Sequence, residues 1–298
     1  IWHHAFYTEL NVDPKKCPVL MTEAPFNPKA NRERMVRMMF EVFEVPAAYV
    51  AIAAVLSMYA CGRTSGVAVD IGHGVTHGVP MFEGYPIVHA IWRSPLAGYD
   101  LTENLNEIMS ERGYYPSECA FARHPLQTTA GLETVRDMKE RLCFVSQDFD
   151  RDIRACSLND ELVRSYQKPD GGMFTIGSER FRCTEVLFKP EFIGKCSVGI
   201  HKMICQSILT CDEDLHACLL ENIVLSGGTA SCTGLAERLK KELSMLVSDR
   251  MNVNVTLHPD AVFKGGAILA SLPTFRGMCI TREDYDESGP TVVHRKCF

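Results

Sequence analysis

Gly66-Val67-Ala68-Val69-Asp70-Ile71-Gly72-His73-Gly74 is an apolar run that carries an aspartate near its end and breaks at two glycines. A continuous apolar run of this length, bounded by glycine, reads as a strand buried on both faces, as in the central sheet of an α/β domain. Thr76 to Phe82, behind the glycine turn, reads as the neighbouring strand. Glycine permits positive φ and close backbone approach, so successive N–H groups can converge on phosphate oxygens. An aspartate closing a buried strand is well placed to hold waters around a magnesium ion, which gives Asp70 a candidate role.

Two further glycine turns lie downstream, Ser226-Gly227-Gly228-Thr229 after the strand Asn222 to Leu225, and Lys264-Gly265-Gly266-Ala267. Helix amino termini are expected after Gly228 and Gly266, where they would add partial positive charge. Two strand-ending glycine turns more than a hundred residues apart predict a nucleotide cleft between two lobes.

Elsewhere helical periodicity alternates with short β-like runs, which is α/β patterning. Met35, Met38, Met39 and Phe43 fall at helical spacing and predict a core-facing stripe. Ala47 to Ala60 reads as an Ala-rich helix stopped at Gly62, and a helix is expected from about Leu101 to Glu111. Tyr114 to Gly131 reads as a surface loop. Glu133 to Phe149 reads as one amphipathic helix with Val135, Met138, Leu142 and Val145 on its apolar face. Pro169-Asp170-Gly171-Gly172 predicts a hairpin turn, and Leu235, Leu239, Leu243 and Leu246 line one side of a later helix.

The chain has 298 residues, 46% hydrophobic and 23% charged, with a net charge of −6. That mix is globular, argues against a broadly basic nucleic-acid binder, and leaves a charge cluster such as Arg136, Lys139 and Arg141 as a solvated helix face. Thirteen cysteines are scattered with no Cys-x-x-Cys, which predicts free thiols in a reducing compartment. His73 and His77 are four apart but in a turn and strand, so zinc is not the expectation. The eighteen-residue uncharged stretch Val45 to Gly62 reads as buried helix rather than membrane span. The start at Ile1, with no signal peptide, reads as a processed product or a fragment.

Long blocks of the chain resemble the actin family. They include Ile1-Trp2-His3-His4, Val19 through Thr22-Glu23-Ala24-Pro25, Asn27-Pro28-Lys29-Ala30-Asn31-Arg32-Glu33 and Tyr49-Val50-Ala51-Ile52. Phe181-Arg182-Cys183, Leu225-Ser226-Gly227-Gly228-Thr229, Asp286-Glu287-Ser288-Gly289-Pro290 and His294-Arg295-Lys296-Cys297-Phe298 extend the likeness to the last residue. The resemblance implies an actin-like (ribonuclease H-like) two-lobed α/β fold that holds ATP or ADP with Mg2+. It assigns residues 1–64 and 260–298 to the smaller lobe and 65–259 to the larger, and makes this an N-terminally truncated member with part of the smaller lobe missing. The family portion before Ile1 would supply the first phosphate-binding hairpin.

By the same resemblance, Asp70, Gly72, Gly74, Val75, Gly98, Arg136, Lys139, Glu140, Gly227, Gly228 and Thr229 are the nucleotide-facing positions, with Asp70 toward the metal through water. His77 is retained near the attacking water. Four departures weaken the site. His73 stands where the family has a second acid, and Ala53 where it has a water-orienting glutamine. Ser231-Cys232 replaces a methionine–tyrosine pair on the adenine, and an adenine-facing lysine is deleted between Asp260 and Phe263. About ten extra residues also sit between Tyr115 and Thr129. Loss of a positioned group commonly costs about 10²-fold or more in rate, so ATP hydrolysis is expected to be lost or very weak.

The family's apolar groove for partner helices maps to Tyr59, Ala60, Gly62, Thr64, Gly84, Tyr85, Leu269, Leu272, Thr274 and Met278. Phe192 and Ile193, in the loop Phe188 to Gly199, read as an exposed contact. The implied role is that of a cytoskeletal protein, cytoplasmic or nuclear, that binds actin and actin-binding proteins, without direct nucleic-acid contact or membrane insertion. The alternatives are an ATP-binding filament subunit and an actin-related subunit of a nuclear or sperm complex.

Overall fold

The computed structural model describes residues 1–113, 129–168 and 171–297, and the chain divides into two compact units. The first comprises Ile1–Thr64 and Asp260–Phe298, the second Ser65–Pro259.

In the first unit, β1 (Val19–Glu23) and β2 (Ala47–Ile52) run parallel, in register from Val19 opposite Ala48 to Glu23 opposite Ile52. Parallel neighbours need a crossover, and the helix Lys29–Arg37 lies in it. Ile280–Thr281 adds an antiparallel edge to β2, which becomes the central strand of three. Val36, Met39, Phe40, Val45, Val50, Leu56 and Val293 form the core. Within the methionine stripe, Met39 and Phe43 are buried but Met38 is exposed. Buried Glu23 is held by Arg32 at 2.7 Å, with Asn27 donating to its other oxygen at 2.9 Å.

Two expectations fail in this unit. Ala47–Ile52 is strand, and the helix begins only at Ala53 and ends at Ala60. An uncharged apolar run carries no polar marks to separate a period of 2 from one of 3.6, so pairing with β1 decides the first half. Nor do Gly265 and Gly266 form a turn, since both lie inside the helix Ala261–Ser271. A Cβ on Gly265 would stand 1.8 Å from the carbonyl oxygen of Leu56, so this glycine exists to let helix Ala53–Ala60 lie against the backbone of its neighbour.

In the second unit, β3 (Gly66–Ile71) turns back into β4 (Thr76–Phe82), paired antiparallel from Gly66 opposite Met81 to Ile71 opposite Thr76. β5 (Tyr85–Pro86) and β6 (Trp92–Ser94) both pair with β4. β7 (Arg164–Gln167) and β8 (Met173–Ile176) make a separate hairpin. β9 (Ile223–Ser226) lies parallel to β3, and β10 (Val255–Leu257) parallel to β9. One core joins Val67, Val69 and Ile71 of β3 to Ile200, Ile204, Leu235, Leu239 and Leu243. Another gathers Leu105, Ile108, Val135, Met138, Tyr166, Phe174 and Ile176.

Here too the helix limits differ from expectation. Thr129–Leu142 is one helix and Phe149–Leu158 another, with Val145 in the connection between them. The side chain of Asp148 accepts from the Arg151 N–H at 3.1 Å and starts the second helix, a cap that the apolar spacing across it concealed. No long helix starts directly behind Gly228. A single tight turn, Thr229–Ser231, intervenes, and the helix Leu235–Leu246 begins after Gly234 at φ +85°. Phe192 is exposed, whereas Ile193 packs partly buried against the larger core. Most of the expected loop Tyr114 to Gly131, and the turn residues Pro169 and Asp170, lie outside the described residues. No helix among the described residues is long and apolar enough to cross a membrane.

Candidate functional site

β3 and β9 are parallel neighbours with Asp70 opposite Ser226, so the two glycine turns that follow them leave the same edge of one sheet. Such an edge, at the carboxyl ends of parallel strands, is where open α/β sheets bind ligands. The turns are joined directly. The Ser226 hydroxyl donates to Asp70 Oδ1 at 3.0 Å, and the Thr229 hydroxyl donates to the Gly72 carbonyl at 2.8 Å. Gly72 N–H closes the first turn onto the Val75 carbonyl at 3.0 Å, and the Gly98 N–H reaches the Gly72 carbonyl at 3.1 Å. Gly227 sits at φ +91°, and a Cβ there would fall 2.5 Å from the Ile71 carbonyl oxygen, so that position admits only glycine without displacement. At Gly74 and Gly228 an added Cβ would meet nothing within 4 Å, which leaves open space over both turns.

His77 faces Asp70 across the β3–β4 register. The residue is 2% exposed, neither ring nitrogen has a hydrogen-bond partner, and Nε2 stands 3.8 Å from Asp70 Oδ2. Burial pushes the imidazole below its ordinary value, while the Asp70 carboxylate pulls it back up. A neutral, unpartnered imidazole beside a carboxylate can accept a proton from a water or hold one in place. His73 is exposed, with its ring edge-on to Tyr99 at 5.7 Å.

A pocket of about 460 Å³ adjoins the second turn. The helix Thr129–Leu142 lends it Arg136, Lys139, Glu140 and Arg141; Gly228, Thr229, Ser231, Cys232 and Thr233 form another wall, and His73, Leu101, Cys143 and Thr184 complete it. Lys139 Nζ donates to the Gly98 carbonyl at 2.8 Å, and burial lowers its pKa while Glu140 opposes the shift. Arg136 pairs with Glu140 at 3.0 Å and Glu133 at 3.4 Å. The volume, the mix of cations and small polar groups, and the open space over the turns fit a nucleoside with its phosphates at Gly74, Gly228 and Thr229. The donor set for a divalent cation fits poorly. Asp70 is the carboxylate of the first turn, one of its oxygens already accepts from Ser226, and His73 offers a nitrogen where a hard cation prefers oxygen.

The remaining expected positions fall as follows. Ala53 opens the helix Ala53–Ala60 of the first unit and carries only a methyl group. Tyr59, Ala60, Gly62, Thr64, Leu269, Leu272, Thr274 and Met278 belong to the first unit, Gly84 and Tyr85 to the second. Leu272, Met278 and Tyr85 are exposed apolar side chains, but Leu269 is buried in its own unit's core. Sequence reading missed Ser226 as a partner of Asp70, although the residue stands in the quoted turn, and missed Arg141, Cys143, Thr184 and Thr233 as pocket walls. Nothing local marks the last four, because they reach the pocket from three separate segments. A protein-family model described as Actin matches the chain over residues 1–298.

Proposed function

Since the chain belongs to the actin family, we propose that it is a structural and interaction protein of the cytoskeleton that holds ATP or ADP loosely and turns it over slowly or not at all. The observation that carries this reading is the pair of glycine turns joined through Thr229 and Gly72 beside a pocket containing Lys139 and Glu140, with His73 in the first turn. Arg136, Lys139 and Glu140 would hold the nucleoside, and Gly74, Gly228 and Thr229 would face the phosphates. Mg2+ bound with the nucleotide would neutralise phosphate charge. This chain's own groups supply one carboxylate toward it, so affinity is expected to depend little on the cation. Ala53 has no amide with which to aim a water, which supports slow turnover. Exposed Leu272 and Met278 of the first unit support docking of amphipathic partner helices.

Phosphate release from ATP by the purified chain, assayed with and without an amphipathic actin-binding helix, tests the proposal. The expected result is helix binding with negligible release. Sustained phosphate release that is lost on replacing His77, or absence of helix binding by a folded chain, contradicts it. A second reading, an ATP-hydrolysing filament subunit, draws support from His77 beside Asp70, and polymerisation-coupled release that vanishes in His77→Leu would favour it.

A further inference from the structure

Three thiols that the nucleotide reading does not use meet at the wall of the pocket. Cys143 follows directly on helix Thr129–Leu142, and Cys183 lies within helix Glu179–Glu185. Their sulfurs are 3.5 Å apart, with Cys183 fully buried and Cys143 7% exposed. The two segments are pinned on either side of the pair. Phe144 N–H donates to the Arg180 carbonyl at 3.1 Å, and the Thr184 hydroxyl donates to the Phe144 carbonyl at 2.7 Å. Cys232 lies 3.9 Å from the Cys143 carbonyl, drawn there by the bridge between Phe144 and Thr233, and both Cys143 and Cys232 line the pocket.

We propose that Cys143 and Cys183 are a redox modification site, a dithiol that a small two-electron oxidant such as a peroxide, entering through the pocket, converts to a disulfide. A disulfide needs its sulfurs about 2.05 Å apart, so closure asks the pair to approach by roughly 1.5 Å, within reach of side-chain rotation while the flanking hydrogen bonds stay in place. Cys143, on the pocket wall, attacks one peroxide oxygen as thiolate, the O–O bond breaks, and the released hydroxide takes a proton to leave as water. The Cys143 sulfenic acid is then attacked by the Cys183 sulfur. The S–S bond forms, the S–O bond breaks, and the second water carries away the Cys183 proton. The two thiols lose two electrons in all and the peroxide gains them. A dithiol reductant reverses the change.

Burial holds Cys232 up at about 12, and Cys183 is raised well above the ordinary thiol range by its hydrogen bond to Cys143 and by burial. Cys143 lines the pocket wall and Cys183 does not, so the first attack falls to Cys143. The reaction draws Cys143 toward Cys183 and off that wall.

The test uses the whole chain, fully reduced, freed of reductant and titrated with hydrogen peroxide, then alkylated in denaturant and digested with trypsin without reduction. The expected product joins the peptide of residues 142–151 to that of residues 183–195 (Lys189 is followed by Pro190 and is not cleaved), at a mass two hydrogens below their sum, and disappears on treatment with dithiothreitol. Peroxide added after denaturation should lose this preference. Cys232→Ser should retain the link and Cys183→Ala abolish it. Both peptides recovered alkylated, Cys143 oxidised to sulfinic acid without linkage, or Cys143 joined chiefly to Cys232 would each overturn the proposal.

Discussion

The hydroxyl of Thr229 donates to the carbonyl of Gly72 at 2.8 Å, although 157 residues separate them in the chain. One bond thereby ties the turn behind β9 to the turn behind β3, and the pocket beside it depends on both. The parallel pairing of the two strands brings the turns close. The threonine sets their spacing.

Replacing Thr229 with valine keeps the shape and removes the donor, leaving the Gly72 carbonyl with the Gly98 N–H alone. We expect a loss of about 1 kcal/mol in stability and a larger relative loss of nucleotide affinity, with Thr229→Ser close to the parent in both. A thermal melt and a fluorescent-nucleotide titration on the three proteins check this.

Gly265 and Gly277 both lie in helices of the first unit but differ in surroundings. A methyl at Gly265 would collide with Leu56 backbone at 1.8 Å, whereas one at Gly277 would meet nothing within 4 Å. Gly265→Ala should destabilise by roughly 1–3 kcal/mol or more. Gly277→Ala should be neutral or add some tenths of a kcal/mol through helix propensity, about 0.5–1 at most. Denaturant unfolding of the two variants distinguishes them, and equal behaviour would count against the close helix contact.

Asp284 supplies a pH-dependent contribution. The Lys296 ammonium at 2.5 Å and the Thr281 N–H hold its carboxyl down to about 2. A carboxyl whose value is lower folded than unfolded adds stability above its unfolded value, about 3.9, and loses it as the pH falls toward the folded value. The parent should therefore exceed Asp284→Asn in stability at neutral pH, with the difference shrinking between about pH 4 and 2. A constant difference across that range would show that the pairing with Lys296 contributes nothing.

His73→Asp returns a second carboxylate to the first turn. It should raise the Mg2+ dependence of ATP binding while leaving binding of metal-free ADP nearly unchanged. Titrations of ATP with and without the cation separate these effects, and an equal gain for both nucleotides would mean that His73 acts through folding.

How much of this was legible in the sequence depends on how locally each feature is encoded. β3 with its glycine turn could be read because an apolar run bounded by glycine has few other solutions, and helix Gly98–Glu111 because its apolar spacing is regular. Ala47–Ile52 could not, because its strand character comes from β1 and Ile280–Thr281 on either side. Gly265 misled for a related reason. Its lack of a side chain answers to Leu56 on another helix, and local rules treat glycine only as a breaker. Buried Glu185 and Arg238, paired at 3.2 Å across 53 residues, left no trace in spacing at all. The pocket was half legible: Lys139, Glu140, Gly228 and Thr229 stand in recognisable blocks, while Cys143, Thr184 and Thr233 arrive there through packing.

The most direct measurement is a calorimetric titration of the purified chain with ATP, run once with Mg2+ and once with a chelator. A pocket that grips the nucleoside but supplies a single carboxylate to the cation should bind in both runs, with affinities within about tenfold, or 1.4 kcal/mol, of each other. Tight binding that collapses by orders of magnitude when the cation is removed would contradict the account.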